Sequence, residues 1–236
     1  MRERPISTVP KSALLLLALG LSLQIAWHAT QPQRLAQAED LPPAPSLFVL
    51  KVISLGDPIA LAKALMLYLQ AFDNQPGISI PFHKLDYTRV EGWLGRILEL
   101  DPPGQYPLLA AGRIYGEVTV ETRQRQMHNF VYQRFFDDPN RRWPWLAHVA
   151  VTTKHQLHDL PLARKYAQAI RLNATGTEVP HWAKQMEIFI LEDLDELESA
   201  KVLIGGLLEG GQISDTHEIR FLERRLQEME AKAKAR

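Results

Sequence analysis

The sequence contains no cysteine, and this absence excludes several kinds of site together. Disulfide bonds, thiolate metal ligands and cysteine nucleophiles are all ruled out. A cysteine-free chain fits a reducing or an oxidising compartment equally well, so the compartment must be argued from other features. The chain also has no net charge, because 27 lysines and arginines balance 27 aspartates and glutamates. Without a basic field, nucleic acid is disfavoured as a partner.

Recognisable catalytic motifs are also missing. The sequence has no HExxH zinc motif, no GxSxG nucleophile elbow and no glycine-rich phosphate loop. The densest histidine group is His148, His155 and His158, followed by Asp159. His148 and His155 lie seven residues apart on one predicted helix, which is too far for a shared metal ion. We therefore predict no enzyme, no catalytic residue, no metal, no cofactor and no small-molecule substrate. An enzyme built on the histidine group is kept as an alternative.

One long apolar run is present near the N-terminus. Ser12–Trp27 has only three polar residues among its 16 and follows Arg2, Arg4 and Lys11. A basic segment before an apolar one is typical of an export signal. Extended to residue 29, the run reaches the lower length limit for a membrane span. We predict a signal anchor over residues 1–29, with the membrane crossed by residues 12–29. Cleavage after Ala38 is the alternative.

The distribution of positive charge predicts the orientation of this segment. Three basic residues precede it, whereas only Arg34 lies close behind it. The positive-inside rule then keeps the N-terminus in the cytoplasm. We predict a single-pass protein of the bacterial inner membrane whose C-terminal domain lies in the periplasm. If the signal is cleaved, the same domain is a soluble periplasmic protein.

The rest of the chain predicts an all-α domain. Residues 30–46 contain four prolines and are predicted to form a linker, residues 47–230 a helical domain, and residues 231–236 a charged tail. No segment shows the alternation expected of a long strand. An Asp-Pro pair at residue 57 predicts the first helix start, and residues 74–81 form a loop. Further helices are expected over 86–100, 106–118, 121–136, 145–157, 161–174, 180–193, 196–208 and from 215.

Four of these helices repeat one another. Residues 86–102, 123–139 and 159–175 align, and a weaker copy begins at residue 196. Corresponding positions, 36 or 37 residues apart, are Val90, Met127, Ala163 and Ala200. Three residues further on, the bulky position is filled by Trp93, Phe130, Tyr166 and Leu203. A constant period in this range predicts a stack of helix pairs in which no unit buries its apolar face alone.

The first and third copies resemble the second helix of a tetratricopeptide (TPR) repeat. The matching residues are Asp86, Tyr87, Ile97, Asp101 and Pro102 in the first copy, and Asp159, Ala163, Tyr166, Ala167 and Ile170 in the third. Val90 and Met127 depart from the small residue of the pattern, and the period exceeds the usual 34. The overall plan is similar to single-pass, membrane-anchored bacterial proteins that hold such a domain in the periplasm.

The resemblance implies a right-handed superhelix of antiparallel helix pairs, with a groove along the first helix of each pair. Such a groove holds a peptide or a protein partner. Candidate groove residues are Arg113, Tyr115, Trp145, His148, Lys154 and Lys184, with cations for a carboxylate and rings for stacking. Each also fits an ordinary core or surface position. For the nearby Trp143-Pro144-Trp145, we favour packing over partner binding.

These observations predict a membrane-tethered scaffold that mediates protein–protein interaction or complex assembly in the envelope. A periplasmic, chaperone-like binder of exported or unfolded polypeptides is the main alternative. Self-association through the apolar segment or the end repeats is a further one.

Overall fold

The computed structural model describes residues 9–30, 38–194, 197–209 and 215–234. The chain divides into two units, Met1–Ala38 with Pro76–Ile78, and Glu39–Gln75 with Ser79–Arg236. The first unit contains α1 (Lys11–Thr30), whose 20 residues are all exposed. By length and composition α1 is apolar enough to cross a membrane, a test that a signal sequence also passes. Arg2, Arg4, Arg34 and most of the alternative cleavage site lie outside the described residues.

Apart from a hairpin of two strands with two residues each, the described residues beyond residue 38 are all-α, as the sequence predicts. A 3-10 turn, Phe82–Lys84, precedes α4, and a π-helical segment, Ala111–Tyr115, continues α5. The strands are β1 (Asn74–Gln75) and β2 (Ile78–Ser79). The helices are α2 (Leu47–Ile53), α3 (Pro58–Ala71), α4 (Tyr87–Leu100), α5 (Tyr106–Ala110), α6 (Glu121–Phe135), α7 (Pro139–His155), α8 (Leu160–Asn173), α9 (His181–Asp193), α10 (Leu197–Glu209) and α11 (Thr216–Lys234).

Three of these helices begin directly after an aspartate whose side chain caps the helix N-terminus. The carboxylates of Asp57, Asp86 and Asp159 accept hydrogen bonds from backbone N–H groups two or three residues ahead, at 2.9, 2.9 and 3.0 Å. Such a cap satisfies one of the backbone donors that a helix leaves free at its N-terminus. The predicted starts of α3 and α4 are therefore confirmed, whereas α8 begins at Leu160, one residue before its predicted start.

The predicted start of α7 is wrong by six residues. The helix begins at Pro139, directly after Asp138, and carries Pro144 inside it. Proline at the first helical position removes no intrahelical hydrogen bond, whereas an internal proline removes one. The flanking rings of Trp143 and Trp145 pack against the hydrophobic core, which offsets that loss. The packing interpretation of this tripeptide agrees with the structure.

The predicted linker also needs correction, because its second half belongs to the folded unit. Leu41 is buried against the core. The Arg89 side chain donates a hydrogen bond to the Leu41 carbonyl at 2.5 Å, and Trp93 Nε1 donates one to the Pro42 carbonyl at 2.8 Å. These long-range contacts fix an extended, proline-rich segment onto α4. The segment leads into α2, a seven-residue helix that the sequence analysis does not predict.

Successive helices pack against one another along the second unit. The most extensive contacts are those of α7 with α8, α8 with α9, and α3 with α4. The four periodic positions Val90, Met127, Ala163 and Ala200 all have 0% solvent exposure. Three of the bulky positions, Trp93, Phe130 and Tyr166, are buried as well. The period in the sequence thus marks the faces on which helices meet, and the packing of consecutive helices is compatible with a helical-repeat fold.

Phe135 and Phe136 allow a matched test of this core, because Phe135 is fully buried whereas Phe136 is 45% exposed. We expect Phe135→Ala to lower the free energy of unfolding by about 3–5 kcal/mol, through lost burial and a cavity. Phe136→Ala should lower the free energy of unfolding by less than half of that amount. Urea unfolding of the detergent-solubilised full-length protein, followed by circular dichroism, measures both changes. Equal losses would contradict the described core.

Candidate partner-binding site

An open cleft of about 410 Å³ lies between α3, the end of α4 and the start of α5. Buried Met66 and Ile97 form its floor. At its rim, Leu67 is 67% exposed and Tyr106 is 45% exposed. Lys63 is the one lysine among the lining residues. We call this feature the α3–α5 cleft. Its shape and apolar lining suit an apolar side chain presented by another molecule.

The loop between α4 and α5 gives the cleft its shape. The Gly104 N–H donates a hydrogen bond to the Asp101 carbonyl at 2.9 Å. A side chain on Gly104 would begin only 2.9 Å from the backbone carbonyl oxygen of Asp101, which cannot move aside without changing the turn, so the turn favours glycine. Two residues later, the Tyr106 hydroxyl accepts a hydrogen bond from the Gln70 amide of α3. The loop is therefore held at both ends, and the Tyr106 ring is oriented at the cleft.

Gln105 connects the α3–α5 cleft to α7. Its side-chain oxygen accepts a hydrogen bond from Trp145 Nε1 at 2.6 Å. One turn further along α7, His148 Nε2 lies 3.3 Å from a carboxylate oxygen of Glu117. Trp145 and His148, both predicted groove residues, therefore lie together on α7 beside α5. Arg113 is exposed on the π-helical segment that continues α5.

Tyr115, in contrast, does not line a groove. Its side chain is completely buried, and its ring meets that of Phe82 edge to face at 5.7 Å. The Tyr87 hydroxyl donates a hydrogen bond to the Tyr115 carbonyl at 3.0 Å. Burial raises the pKa of the Tyr115 hydroxyl, so the group stays neutral. The prediction treats residues 106–118 as one α-helix, whereas the wider π-helical turn changes the face on which Tyr115 lies.

Lys154 and Lys184 lie apart from the cleft and have partners within the fold. Lys154 forms an ion pair with Asp193, and Lys184 Nζ donates a hydrogen bond to the Gly176 carbonyl at 3.2 Å. Lys154 follows Trp145 by nine residues, or about 13 Å along α7. The structure therefore brings Trp145 and His148 together near the cleft but does not gather all six predicted residues into one cluster.

The sequence analysis misses two residues that line the cleft and one exposed aromatic residue of α9. Leu67 and Tyr106 line the cleft, and Trp182 of α9 contacts Trp143 edge to face at 5.3 Å while remaining more than half exposed. The sequence does contain a signal for Leu67. This apolar residue falls outside the buried stripe of Ala62, Met66 and Leu69 on α3, which indicates an exposed apolar side chain. Tyr106 and Trp182 carry no comparable local pattern.

The histidine group does not come together as a metal site. His155 and His158 are exposed, and the Asp159 carboxylate caps α8. Asp159 also accepts a hydrogen bond from Arg125 at 2.7 Å, which lowers the pKa of this carboxyl group. Among the residues that the structure describes, no group of three or more histidines and carboxylates is arranged to hold a metal ion.

A different histidine is fully buried. His128 Nδ1 lies 3.1 Å from the Thr153 hydroxyl, and Nε2 has no hydrogen-bond partner. Burial, with smaller contributions from His148 and Arg125, lowers the pKa of His128 to about 4. The ring is therefore neutral at pH 7 and acts as part of the α6–α7 contact.

The chain matches no protein-family model, and no curated protein or solved structure is significantly similar to it.

His128 makes the stability of the fold depend on pH. Its pKa of about 4 in the folded protein lies below the value of 6.5 expected when unfolded, so only the unfolded chain gains a proton between these values. Stability should be complete above pH 6.5 and fall by up to about 3 kcal/mol as the pH drops to 4. Urea unfolding at a series of pH values measures this loss.

The matched variants are His128→Gln and His155→Gln, one at a buried and one at an exposed histidine. The first should flatten the dependence of stability on pH between 6.5 and 4, whereas the second should leave it as in the unaltered protein. A dependence that persists in His128→Gln would show that another group is responsible.

Proposed function

We propose that this protein is a non-enzymatic, TPR-like scaffold, tethered to the bacterial inner membrane, that binds a protein or peptide partner in the envelope. The α3–α5 cleft is the observation that carries this proposal. It combines an apolar floor with exposed Leu67 and Tyr106 at the rim. Apolar pockets with an aromatic residue at the edge are common anchor sites in protein interfaces.

The chemistry of the cleft favours a polypeptide over a small molecule. Sites for small molecules enclose most of the ligand and direct several polar groups towards it. Here the charged lining residues are Lys63 and Asp101, and the cleft is open to solvent. An extended or helical segment can place one apolar side chain in the cleft and continue past Trp145 and His148 on α7. Arg113 is an exposed cation available to a carboxylate along this route.

The helix packing supports the TPR-like part of the proposal. Small residues stand where α8 and α10 meet their neighbours, namely Ala163, Ala167 and Ala200, all without solvent exposure. Close approach at small residues lets helix pairs stack with a regular small rotation, which creates an extended binding face in repeat proteins. In such a stack, α5, α7 and α9 form the row of first helices that a partner contacts.

The length of α1 supports the tether. Its 20 residues extend for about 30 Å, which matches the hydrocarbon thickness of a bilayer. With its basic N-terminal flank in the cytoplasm, the folded unit lies in the periplasm. The alternative is cleavage after Ala38 and a soluble periplasmic protein. The intact mass of the purified protein distinguishes the two.

The apolar lining also favours a second candidate, the chaperone-like binder. Met66 at the floor is flexible and adapts to side chains of different shape. A chaperone-like binder uses the same cleft for many unrelated chains, whereas a scaffold holds one partner. The number of partners therefore separates the two functions.

Site-specific photo-crosslinking in native membranes tests this proposal. A photoreactive amino acid at Leu67 or Tyr106 should give one discrete crosslinked product, because the partner occupies the cleft. The control position is Leu172 on α8, which is exposed but outside the cleft. A broad ladder of products at Leu67 would favour the chaperone-like function. Identical products at Leu67 and Leu172, or none at either cleft position, would contradict binding in the cleft.

A further inference from the structure

The turn between α2 and α3 exposes a continuous group of large apolar side chains. The two helices meet at 111°, and by length and composition alone the pair is apolar enough for a bent membrane span. We call the group the apolar corner, and its members are Phe48, Val49, Val52, Ile53, Leu55 and Ile59. Phe48 is 76% exposed and Leu55 is 93% exposed. Soluble surfaces rarely carry large apolar side chains so close together.

The apolar corner occupies one side of α2. At 100° per residue, Phe48, Val49, Val52 and Ile53 fall within a sector of about 140°. The opposite side of the helix contains buried Leu50 and half-buried Leu47, which attach α2 to the core. The apolar side chains of the exposed sector are therefore not needed to attach α2 to the core. The helix is apolar on both sides, although only one side is covered by the protein.

Leu55, at the tip of the turn, is held in an unfavourable backbone conformation. Its φ angle is 49°, in the left-handed region, where the Cβ atom of an L-residue comes too close to the following carbonyl oxygen. Glycine or asparagine would avoid most of this strain. The Leu55 side chain makes no compensating burial, because almost all of it is exposed. An exposed apolar residue at such a position favours a contact outside the described chain.

The chain itself places a bilayer within reach of the apolar corner. α1 ends at Thr30, and the folded unit begins at Glu39, so the intervening chain extends to at most about 30 Å. The folded unit is thus confined near the membrane that α1 crosses in the proposed function. α2 is the first helix of that unit. Lys51 and Lys63, both exposed beside the corner, suit anionic lipid headgroups.

The backbone of the turn is also suited to a lipid interface. The N–H groups of Ser54, Leu55 and Asp57 donate hydrogen bonds to carbonyl groups of the same turn, at 3.0, 3.3 and 2.9 Å. The Ser54 hydroxyl donates to the Lys51 carbonyl at 2.7 Å. Polar backbone groups without partners would oppose entry into an apolar environment. Here they are largely satisfied within the turn.

We propose that the apolar corner inserts into the interfacial region of the periplasmic leaflet, as a second contact between the folded unit and the membrane. This inference rests on the tether in the proposed function. A second, shallow contact fixes which side of the domain faces away from the lipid, since a single flexible connection leaves its orientation free. Burial of apolar side chains at the headgroup boundary provides the driving force.

The absence of cysteine makes a direct test possible, because each introduced cysteine is unique. Full-length Phe48→Cys and Leu55→Cys are labelled with an environment-sensitive NBD fluorophore. Each variant is reconstituted into phosphatidylethanolamine–phosphatidylglycerol vesicles with or without brominated acyl chains. The proposal expects a blue-shifted emission and a loss of fluorescence with brominated lipid at both positions. Leu172→Cys on α8 is the exposed control and should show neither effect.

Leu17→Cys, within α1, separates this inference from the tether itself. Strong quenching at Leu17 together with corner positions that behave like Leu172 would overturn the inference and leave the tether intact. Quenching at the corner without quenching at Leu17 would support the lipid contact and contradict the transmembrane tether. Disulfide dimers through Phe48→Cys or Leu55→Cys, without quenching by brominated lipid, would show that a second copy covers the corner and would overturn the proposal.

Discussion

The structure depends on the close approach of successive helices at a few positions where solvent is fully excluded. Val90, Met127, Ala163 and Ala200 lie on four different helices, one period apart, and each has 0% exposure. None of these helices can bury its apolar stripe alone, so each relies on the next. Ion pairs reinforce these contacts. Glu187 of α9, for example, is buried and accepts a hydrogen bond from Arg171 of α8 at 2.8 Å.

Because the contacts between helices already account for most buried apolar side chains, the exposed ones stand out. Among the described residues, we assign a binding role to two of the surfaces that carry them, the α3–α5 cleft and the apolar corner. They differ in form and in chemistry. The cleft is recessed, and hydrogen bonds through Gln105 and Tyr106 fix its rim. The corner protrudes, with Leu55 at its tip. A domain that binds a polypeptide with one surface and lipid with the other would hold its partner close to the membrane.

Much of the fold is predictable from the sequence because its signals are local. Aspartate caps and apolar periodicity predict α3, α4 and α8. The errors have long-range causes. The sequence of the proline-rich segment predicts a linker because its hydrogen-bond partners, Arg89 and Trp93, lie about 50 residues further along the chain. α2 is too short for a periodic pattern. The cleft arises where α3 meets the loop before α5, and no local pattern encodes that contact. The resemblance to a repeat places Trp145 and His148 together on one helix, whereas Tyr115 is buried because a π-helical turn changes the face on which it lies.

The central claim is that the protein binds one partner polypeptide. It is tested most directly by measuring which polypeptides are purified with the membrane protein, and in what ratio to it. The full-length protein, with a C-terminal tag, is purified after crosslinking and detergent extraction, beside a Leu67→Ser, Tyr106→Ala double variant and a Leu172→Ser control. We predict that one polypeptide is recovered in stoichiometric amount with the unaltered protein and with the control, and that it is lost from the double variant. Retention of that partner by the double variant would contradict the cleft as the binding site and, with it, the proposed scaffold.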